Sequence, residues 1–114
     1  MNQKTIDRLV SELKEGYPGA YTARDGGVTL VRLPEVNFPL CCQPTSTSAL
    51  VALDPNKPKP DFYIKVIPSL RGNQPQHGTS LIGGDTWCTF SYNLRWNEEH
   101  TATQFVEGML RRFA

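Results

Sequence analysis

Cys88 is the side chain in this sequence best suited to covalent chemistry, and it lies within an aromatic segment, Trp87-Cys-Thr-Phe90. A cysteine thiolate is both a nucleophile and a tolerable leaving group. It can therefore accept an acyl group from a thioester and then lose it to an amine. The alternative is structural, because a cysteine that takes part in no chemistry commonly packs as a small hydrophobic residue. The residues alone leave both interpretations of Cys88 open.

Two further polar side chains could assist such chemistry. His77 lies in a segment rich in Gly, Gln and Ser, where an imidazole could orient a substrate or act as an acid–base group. Its alternative role is that of a solvated loop residue. Asn93 follows Cys88 closely in the chain and could supply a side-chain amide near the thiol. We therefore take Cys88, His77 and Asn93 as the candidate catalytic residues.

Cys41 and Cys42 could in principle ligate a metal together with His77 or His100. Adjacent cysteines do not have the C-x₂-C spacing of structural zinc sites, and no second cysteine pair is present. We expect no metal site. Because side chains alternate along an extended segment, one of the two cysteines should be buried and the other should point outward. The sequence also lacks a Walker loop and a GxGxxG motif, so no cofactor is expected.

The length and composition fit a single domain covering residues 1–114, and the order of its predicted elements, given below, makes it an α+β domain. Hydrophobic residues make up 39% of the chain and charged residues 20%, with a net charge of +1. This near-neutral balance argues against nucleic acid or an anionic membrane as the main partner. No apolar run approaches the length of a transmembrane helix. Three cysteines, two of them adjacent, make a poor disulfide framework, so we expect a reducing, cytoplasmic location.

Apolar residues at helical spacing predict one helix near each end of the chain. The first helix carries an apolar stripe through Ile6, Leu9 and Leu13, and Gly16 and Pro18 follow as stop signals. The second stripe is longer, and Thr101-Ala-Thr-Gln104 before it has the pattern of a capping box. The members of this second stripe are Ala102, Phe105, Val106, Met109, Leu110 and Phe113. We expect the aromatic segment 87–96 to pack against this terminal helix.

The region between the helices predicts four strands. Residues 20–24 and 28–33 form a hairpin around Asp25-Gly26 or Gly26-Gly27, and residues 47–53 and 61–66 form the third and fourth strands. Segment 34–44, which contains three prolines, is predicted to be a loop or an edge crossing. Segment 71–84 is predicted to be an irregular flap. The predicted fold is an N-terminal helix, a four-stranded antiparallel meander, an irregular flap and a C-terminal helix.

This order of elements resembles the ubiquitin-conjugating-enzyme (UBC) fold, and it is most similar to small, divergent bacterial UBC-like proteins. The likeness is carried by Pro58–Tyr63, the flap 72–84 and Trp96–Thr101, together with Trp87-Cys-Thr-Phe-Ser91. Cys88 precedes Trp96 by eight residues, a spacing similar to that of conjugating enzymes. The resemblance implies that Cys88 carries a ubiquitin-like modifier as a thioester. It also implies two partners, the modifier and an activating (adenylating) enzyme.

The sequence departs from the UBC pattern at the His-Pro-Asn motif. His77-Gly-Thr79 stands in roughly that place and lacks the asparagine, whose amide Asn93 would have to supply. The family's further C-terminal helices are also absent from this sequence. An alternative is compatible with these departures: the chain is a non-catalytic UBC-like variant or an α+β interaction module. The proline-rich sheet edge and the flap would then contact a partner protein.

Overall fold

The two predicted helices are confirmed by the computed structural model, which describes residues 1–39, 42–70, 72, 74 and 77–114. Helix α1 spans Gln3–Gly16, and the side chain of its N-cap, Asn2, accepts a hydrogen bond from the Thr5 amide at 2.8 Å. Helix α2 spans Ala102–Leu110 and ends in a 3₁₀ turn at Arg111–Phe113. Within the described ranges, neither helix has the length and apolarity needed to span a bilayer.

The capping box at the start of α2 has both of its expected hydrogen bonds. The Thr101 hydroxyl accepts from the Gln104 amide at 3.1 Å, and the Gln104 side chain accepts from the Thr101 amide at 2.8 Å. These bonds satisfy amides that the helix itself leaves without partners. The local sequence therefore fixes where α2 begins.

Between the helices the chain forms one six-stranded antiparallel sheet and a small two-stranded sheet. The large sheet has the order β1-β2-β4-β5-β8-β7, and β3 pairs with β6. The strands are β1 Tyr21–Asp25, β2 Val28–Asn37, β3 Cys42–Gln43, β4 Ser46–Leu53, β5 Asp61–Ile64, β6 Ser69–Leu70, β7 His77–Ile82 and β8 Asp85–Phe90. The predicted meander corresponds to β1, β2, β4 and β5.

The prediction of a loop from residue 34 was wrong at its beginning, because β2 continues through Pro34 to Asn37. Its pairing with β4 shifts register between Leu33 and Val36. A proline has no backbone N–H to donate to a ladder, and an irregularity of this kind lets a strand continue past it. The fourth predicted strand is shorter than expected, since β5 ends at Ile64 rather than at residue 66.

The prediction of an irregular flap over 71–84 was also wrong for its second half. His77–Ile82 and Asp85–Phe90 form a hairpin joined by Gly83 and Gly84, whose φ angles are 59° and 81°. Two consecutive residues with positive φ are typical of a two-residue hairpin turn, for which glycine is well suited. This hairpin raises the number of strands in the sheet from four to six. Residues 71, 73, 75 and 76 of the predicted flap lie outside the described residues.

One face of the large sheet carries the main core, because side chains alternate between the two faces of each strand. Both helices pack on this face, which we call the helix side. Its fully buried members include Val31, Leu33, Val51, Leu53 and Ile64 from the strands and Ile6, Leu9, Leu13 and Val106 from the helices. Burying a side chain of this size stabilises the fold by about 1.5–3 kcal/mol.

The other face, which we call the open side, has a smaller cluster of Leu30, Leu50, Ala52 and Trp87. Trp87 is only 2% exposed there. The expectation that the whole aromatic segment packs against the terminal helix was therefore wrong for Trp87. Its neighbours Cys88 and Phe90 are on the helix side, and alternation along β8 places Trp87 on the other face.

The segment before α2 is attached to α1 by two side chains. Arg8 donates to the backbone carbonyls of Glu98, at 2.6 Å, and His100, at 3.2 Å. Glu12 accepts a hydrogen bond from the Ala102 amide at 2.8 Å and also pairs with Arg8. A carboxylate at this point stabilises the positive end of the α2 dipole. Helix α1 therefore helps to determine the path of the chain into α2.

Candidate functional site

The structure places Cys88 inside the sheet rather than in a flap. In β8 it pairs with Ile64 of β5 on one side and with Thr79 of β7 on the other. Its side chain is partly buried and packs against the helix-side core. The thiol donates to the Lys65 carbonyl oxygen, with 3.4 Å between Sγ and O. Cys88 therefore fills a structural position, with part of its surface left accessible.

Asp85 is the nearest acidic residue to Cys88 in sequence, but it projects from the opposite face of β8. Its carboxylate forms ion pairs with Lys65 and, at 3.8 Å, with Arg32. The hydrogen bond from Lys65 is the main reason why the pKa of Asp85 is lowered from its usual value. The Arg32 guanidinium and the Lys65 ammonium also lie 5.2 and 5.1 Å from the centre of the Trp87 ring. This charged cluster belongs to the open side, away from the Cys88 thiol.

His77 and Cys88 lie on the same face of the β7–β8 hairpin. His77 is opposite Phe90, and Thr79 is opposite Cys88, so His77 is the diagonal neighbour of Cys88. Diagonal neighbours on one face of an antiparallel pair are about 7–8 Å apart. His77 is exposed, whereas Cys88 is partly buried. The sheet pairing thus brings together two of the three candidate residues.

Asn93 is not part of this hairpin. It follows the end of β8 in the irregular segment 91–97, and it is exposed. It lies on the wall of a groove between β5, the end of β8 and α2. The structure therefore places Asn93 in the groove and leaves Cys88 and His77 on the hairpin.

The groove has a volume of about 610 Å³, within the range of binding pockets in proteins. In the described part of the sheet β5 and β8 pair at the single position Ile64–Cys88, and the groove begins beyond that pair. Aromatic and apolar side chains dominate its surface, with polar groups among them. It is lined by Lys59, Pro60, Asp61, Phe62, Tyr63, Thr89, Phe90, Ser91, Tyr92, Asn93, Leu94, Trp96, Phe105 and Met109.

Trp96 forms part of the groove wall. Its ring packs edge-on against Phe105, with 5.7 Å between ring centres. Its indole Nε1 is buried and has no hydrogen-bond partner among the described residues. Buried indole N–H groups usually have an acceptor, because an unpaired buried donor costs about 1–3 kcal/mol. The buried Nε1 has almost no surface open to the groove, so Trp96 contributes its ring rather than its N–H to the groove wall.

Sequence reasoning missed the groove as a site, although it noted most of its parts. The sequence predicts a strand at 61–66 and packing of segment 87–96 against the terminal helix, but not that the two segments form one groove. What brings them together is the insertion of β8 beside β5, which no local pattern predicts. The partial signal was the density of aromatic residues on both sides of a proline-rich stretch.

The structure does not support a metal site within the residues it describes. It contains no group of three or more His, Cys, Asp or Glu side chains able to hold a metal ion in those ranges. Cys42 is buried, and its thiol donates to the Phe113 carbonyl oxygen at 3.4 Å. The other half of the prediction, that the second cysteine of the pair points outward, falls on Cys41, which lies outside the described residues.

Neither the family models nor the curated proteins and solved structures include a match to this chain.

Proposed function

We propose that this chain is a protein-interaction domain that binds an extended segment of a partner protein in the groove between β5, β8 and α2. The observation that carries the proposal is the groove itself, with its aromatic walls. We further propose that the domain is a non-catalytic variant of the UBC-like fold. The N-terminal helix, the antiparallel meander and the C-terminal helix support that assignment.

The openness of the groove favours a peptide segment over a small ligand. Lys59, Ser91 and Asn93 on its rim are exposed, so one side of the groove faces solvent. Small-ligand sites usually bury most of the ligand surface, which requires a more enclosed cavity. An extended chain can enter such a groove from the side. The solvent-facing side of the groove therefore suits a segment of a partner protein.

The chemistry of the lining also suits a peptide. Tyr63 and Tyr92 combine a flat apolar ring with a hydroxyl group, a combination that is common in protein interfaces. The Asn93 amide can both donate to and accept from a peptide backbone. Lys59 offers a positive charge near one end of the groove, where Asp61 already pairs with Lys57 at 2.7 Å.

The experiment is selection of peptides from a display library of random linear peptides, with the folded domain as the target. Selected peptides should bind Tyr92→Ala at least about tenfold more weakly, which corresponds to about 1.4 kcal/mol. Tyr21→Ala is the matched control, because Tyr21 is 49% exposed and lies outside the groove. Selected peptides that bind Tyr92→Ala as tightly as the unchanged chain would overturn the proposal, as would failure to select any peptide.

A second candidate function is transfer of a ubiquitin-like modifier through Cys88. The observation that favours it is the placement of the partly exposed Cys88 on the same face as His77. The Cys88 thiolate would attack the thioester carbonyl of the modifier on its activating enzyme. A new C–S bond would form on Cys88, and the cysteine thiolate of the activating enzyme would leave.

This second candidate is tested by incubation with a ubiquitin-like modifier, its activating enzyme and ATP. We expect a reducible adduct on the unchanged chain and none on Cys88→Ser. A reducible adduct that persists on Cys88→Ser would remove Cys88 from the mechanism. His77→Ala is the companion variant, since loss of the imidazole should slow adduct formation only if His77 assists Cys88.

A further inference from the structure

We propose that β7 is a self-association edge, through which two copies of this chain pair their β7 strands antiparallel to form one continuous sheet. The strand order places β7 and β1 at the two ends of the large sheet. Strands at sheet edges carry backbone groups that can pair with another chain unless the sequence prevents it. The two edges of this sheet differ in how well they prevent it.

Strand β7 lacks the usual protection against edge pairing. Its sequence, His-Gly-Thr-Ser-Leu-Ile, contains no Lys, Arg, Asp, Glu or Pro, and its pairing with β8 shows no register shift. Charged residues, prolines and bulges are the features that usually block an edge strand. The opposite edge, β1, carries Arg24 and Asp25. Of the two edges, β7 is therefore the one available to another strand.

The hairpin turn determines which backbone groups of β7 point outward. Gly83 and Gly84 form a two-residue turn. In such a turn the two residues that close it, here Ile82 and Asp85, hydrogen-bond to each other through their backbone N–H and C=O groups. Because ladder hydrogen bonds alternate along a strand, Ser80 also directs its N–H and C=O toward β8. Thr79 and Leu81 then direct theirs away from β8, to the side of β7 on which the described sheet has no further strand.

A second copy of β7 is complementary to these outward groups. With Ser80 on the two-fold axis, Thr79 of each copy lies opposite Leu81 of the other, and the two residues can exchange both backbone hydrogen bonds. Ile82 of each copy then lies opposite Gly78, which has no side chain to oppose it. In this register, both the outward backbone hydrogen-bonding groups and the side-chain sizes are therefore compatible with pairing of the two β7 strands.

Exposure of Leu81 supports this register. Leu81 is 76% exposed and is the most exposed of the large hydrophobic residues described. With Ser80 on the axis, the two Leu81 side chains are diagonal neighbours on one face, about 7–8 Å apart and within contact range for leucine. Pairing therefore buries an apolar side chain that the monomer leaves in water. A contact of this size produces a weak dimer that depends on protein concentration.

The test is sedimentation analysis of the full chain from about 1 µM to about 1 mM, a range that covers weak dimers. We expect the mass to rise toward twice that of the chain. Leu81→Lys should weaken dimerisation at least about tenfold, because a lysine on an edge blocks pairing. Thr86→Lys is the matched control, since Thr86 lies opposite Leu81 on the same face but one strand farther in. A monomer at all concentrations, or equal weakening by both variants, would overturn the proposal.

A cross-linking experiment tests the register separately. Ser80→Cys places two thiols across a two-fold axis at a non-hydrogen-bonded position, where Cα atoms lie about 4.5 Å apart and a disulfide can form. Mild oxidation should link the two copies of Ser80→Cys, and the unchanged chain supplies the background from its own cysteines. Preferential cross-linking of Thr79→Cys would overturn this register, because it would place Thr79 on the axis instead.

Discussion

Ile64 and Cys88 face each other across β5 and β8, and their pairing joins the β7–β8 hairpin to the meander. Both side chains lie on the helix side, with Ile64 fully buried and Cys88 partly buried against the same core. The Cys88 thiol also donates a hydrogen bond to the backbone carbonyl of Lys65, the residue after Ile64. Cys88 therefore contributes to the stability of the sheet, whatever chemistry its exposed surface supports.

Replacing Cys88 with alanine should reduce the free energy of unfolding by about 1 kcal/mol, because it removes a partly buried sulfur and its hydrogen bond. Urea denaturation measures the change. Ser91→Ala is the control, since Ser91 is exposed just beyond β8, and its effect should stay within about 0.5 kcal/mol. Equal stability of Cys88→Ala and the unchanged chain would show that Cys88 does not support the β5–β8 junction.

Replacing Glu12 with alanine should destabilise the chain by about 1–2 kcal/mol. The change removes the acceptor of the Ala102 amide and the partner of Arg8 at the start of α2. Glu15→Ala is a matched control on the same helix, because Glu15 is exposed. Thermal unfolding of the two variants measures the difference. If Glu15→Ala lowers stability as much as Glu12→Ala, the contact with α2 is not the cause.

Stability should fall at high pH because of Tyr17. Burial raises the pKa of Tyr17, and the nearby Glu107 carboxylate, which accepts its hydroxyl at 3.3 Å, raises that pKa further. Below about pH 10 tyrosine is protonated in both the folded and the unfolded chain, so this group causes no pH dependence there. Above that pH the unfolded chain loses the proton first, and the free energy of unfolding decreases.

The pH effect is measured by urea denaturation of the unchanged chain and of Tyr17→Phe between about pH 8 and pH 11. Tyr17→Phe keeps the ring but cannot ionise, so its stability should decline less steeply in the upper part of this range. At pH 8 the variant lacks only the hydrogen bond to Glu107, which is worth about 1 kcal/mol. Parallel declines for the two proteins would show that Tyr17 does not control the alkaline limit.

Replacing Gly108 with alanine should displace Leu94 from its position in the groove. A Cβ at residue 108 would lie 3.0 Å from both Leu94 methyl carbons, closer than ordinary contact. Alanine favours a helix over glycine by about 1 kcal/mol, and Leu94 is only partly buried and can move. We therefore expect little net change in stability.

The measurement for Gly108→Ala is the methyl chemical shift of Leu94 by NMR, with urea denaturation alongside. Gly27→Ala is the control, since a Cβ there would meet no atom within 4 Å. A shifted Leu94 signal with stability retained within about 0.5 kcal/mol is the expected outcome. An unchanged Leu94 signal would contradict the close packing of α2 against segment 91–97.

The sequence by itself determined the elements whose signals are local. The Thr101–Gln104 capping box and the apolar stripe after it predicted α2, because each of their contacts joins residues within a few positions. The glycines after Asp25 predicted the first hairpin for the same reason, and the pairing of Asp25 with Val28 places its turn at Gly26-Gly27. A comparable signal exists at Gly83-Gly84, between residues suited to strands, and could have predicted the β7–β8 hairpin.

Only the tertiary structure decided where that hairpin lies. It inserts β8 between β5 and β7, although β7 comes first in the chain, and so places Cys88 inside the sheet. The same pairing directs Trp87 to the open side and forms the groove that contains Trp96. Local propensity cannot specify these outcomes, because the partner and register of a strand depend on residues distant in sequence and on which face becomes buried.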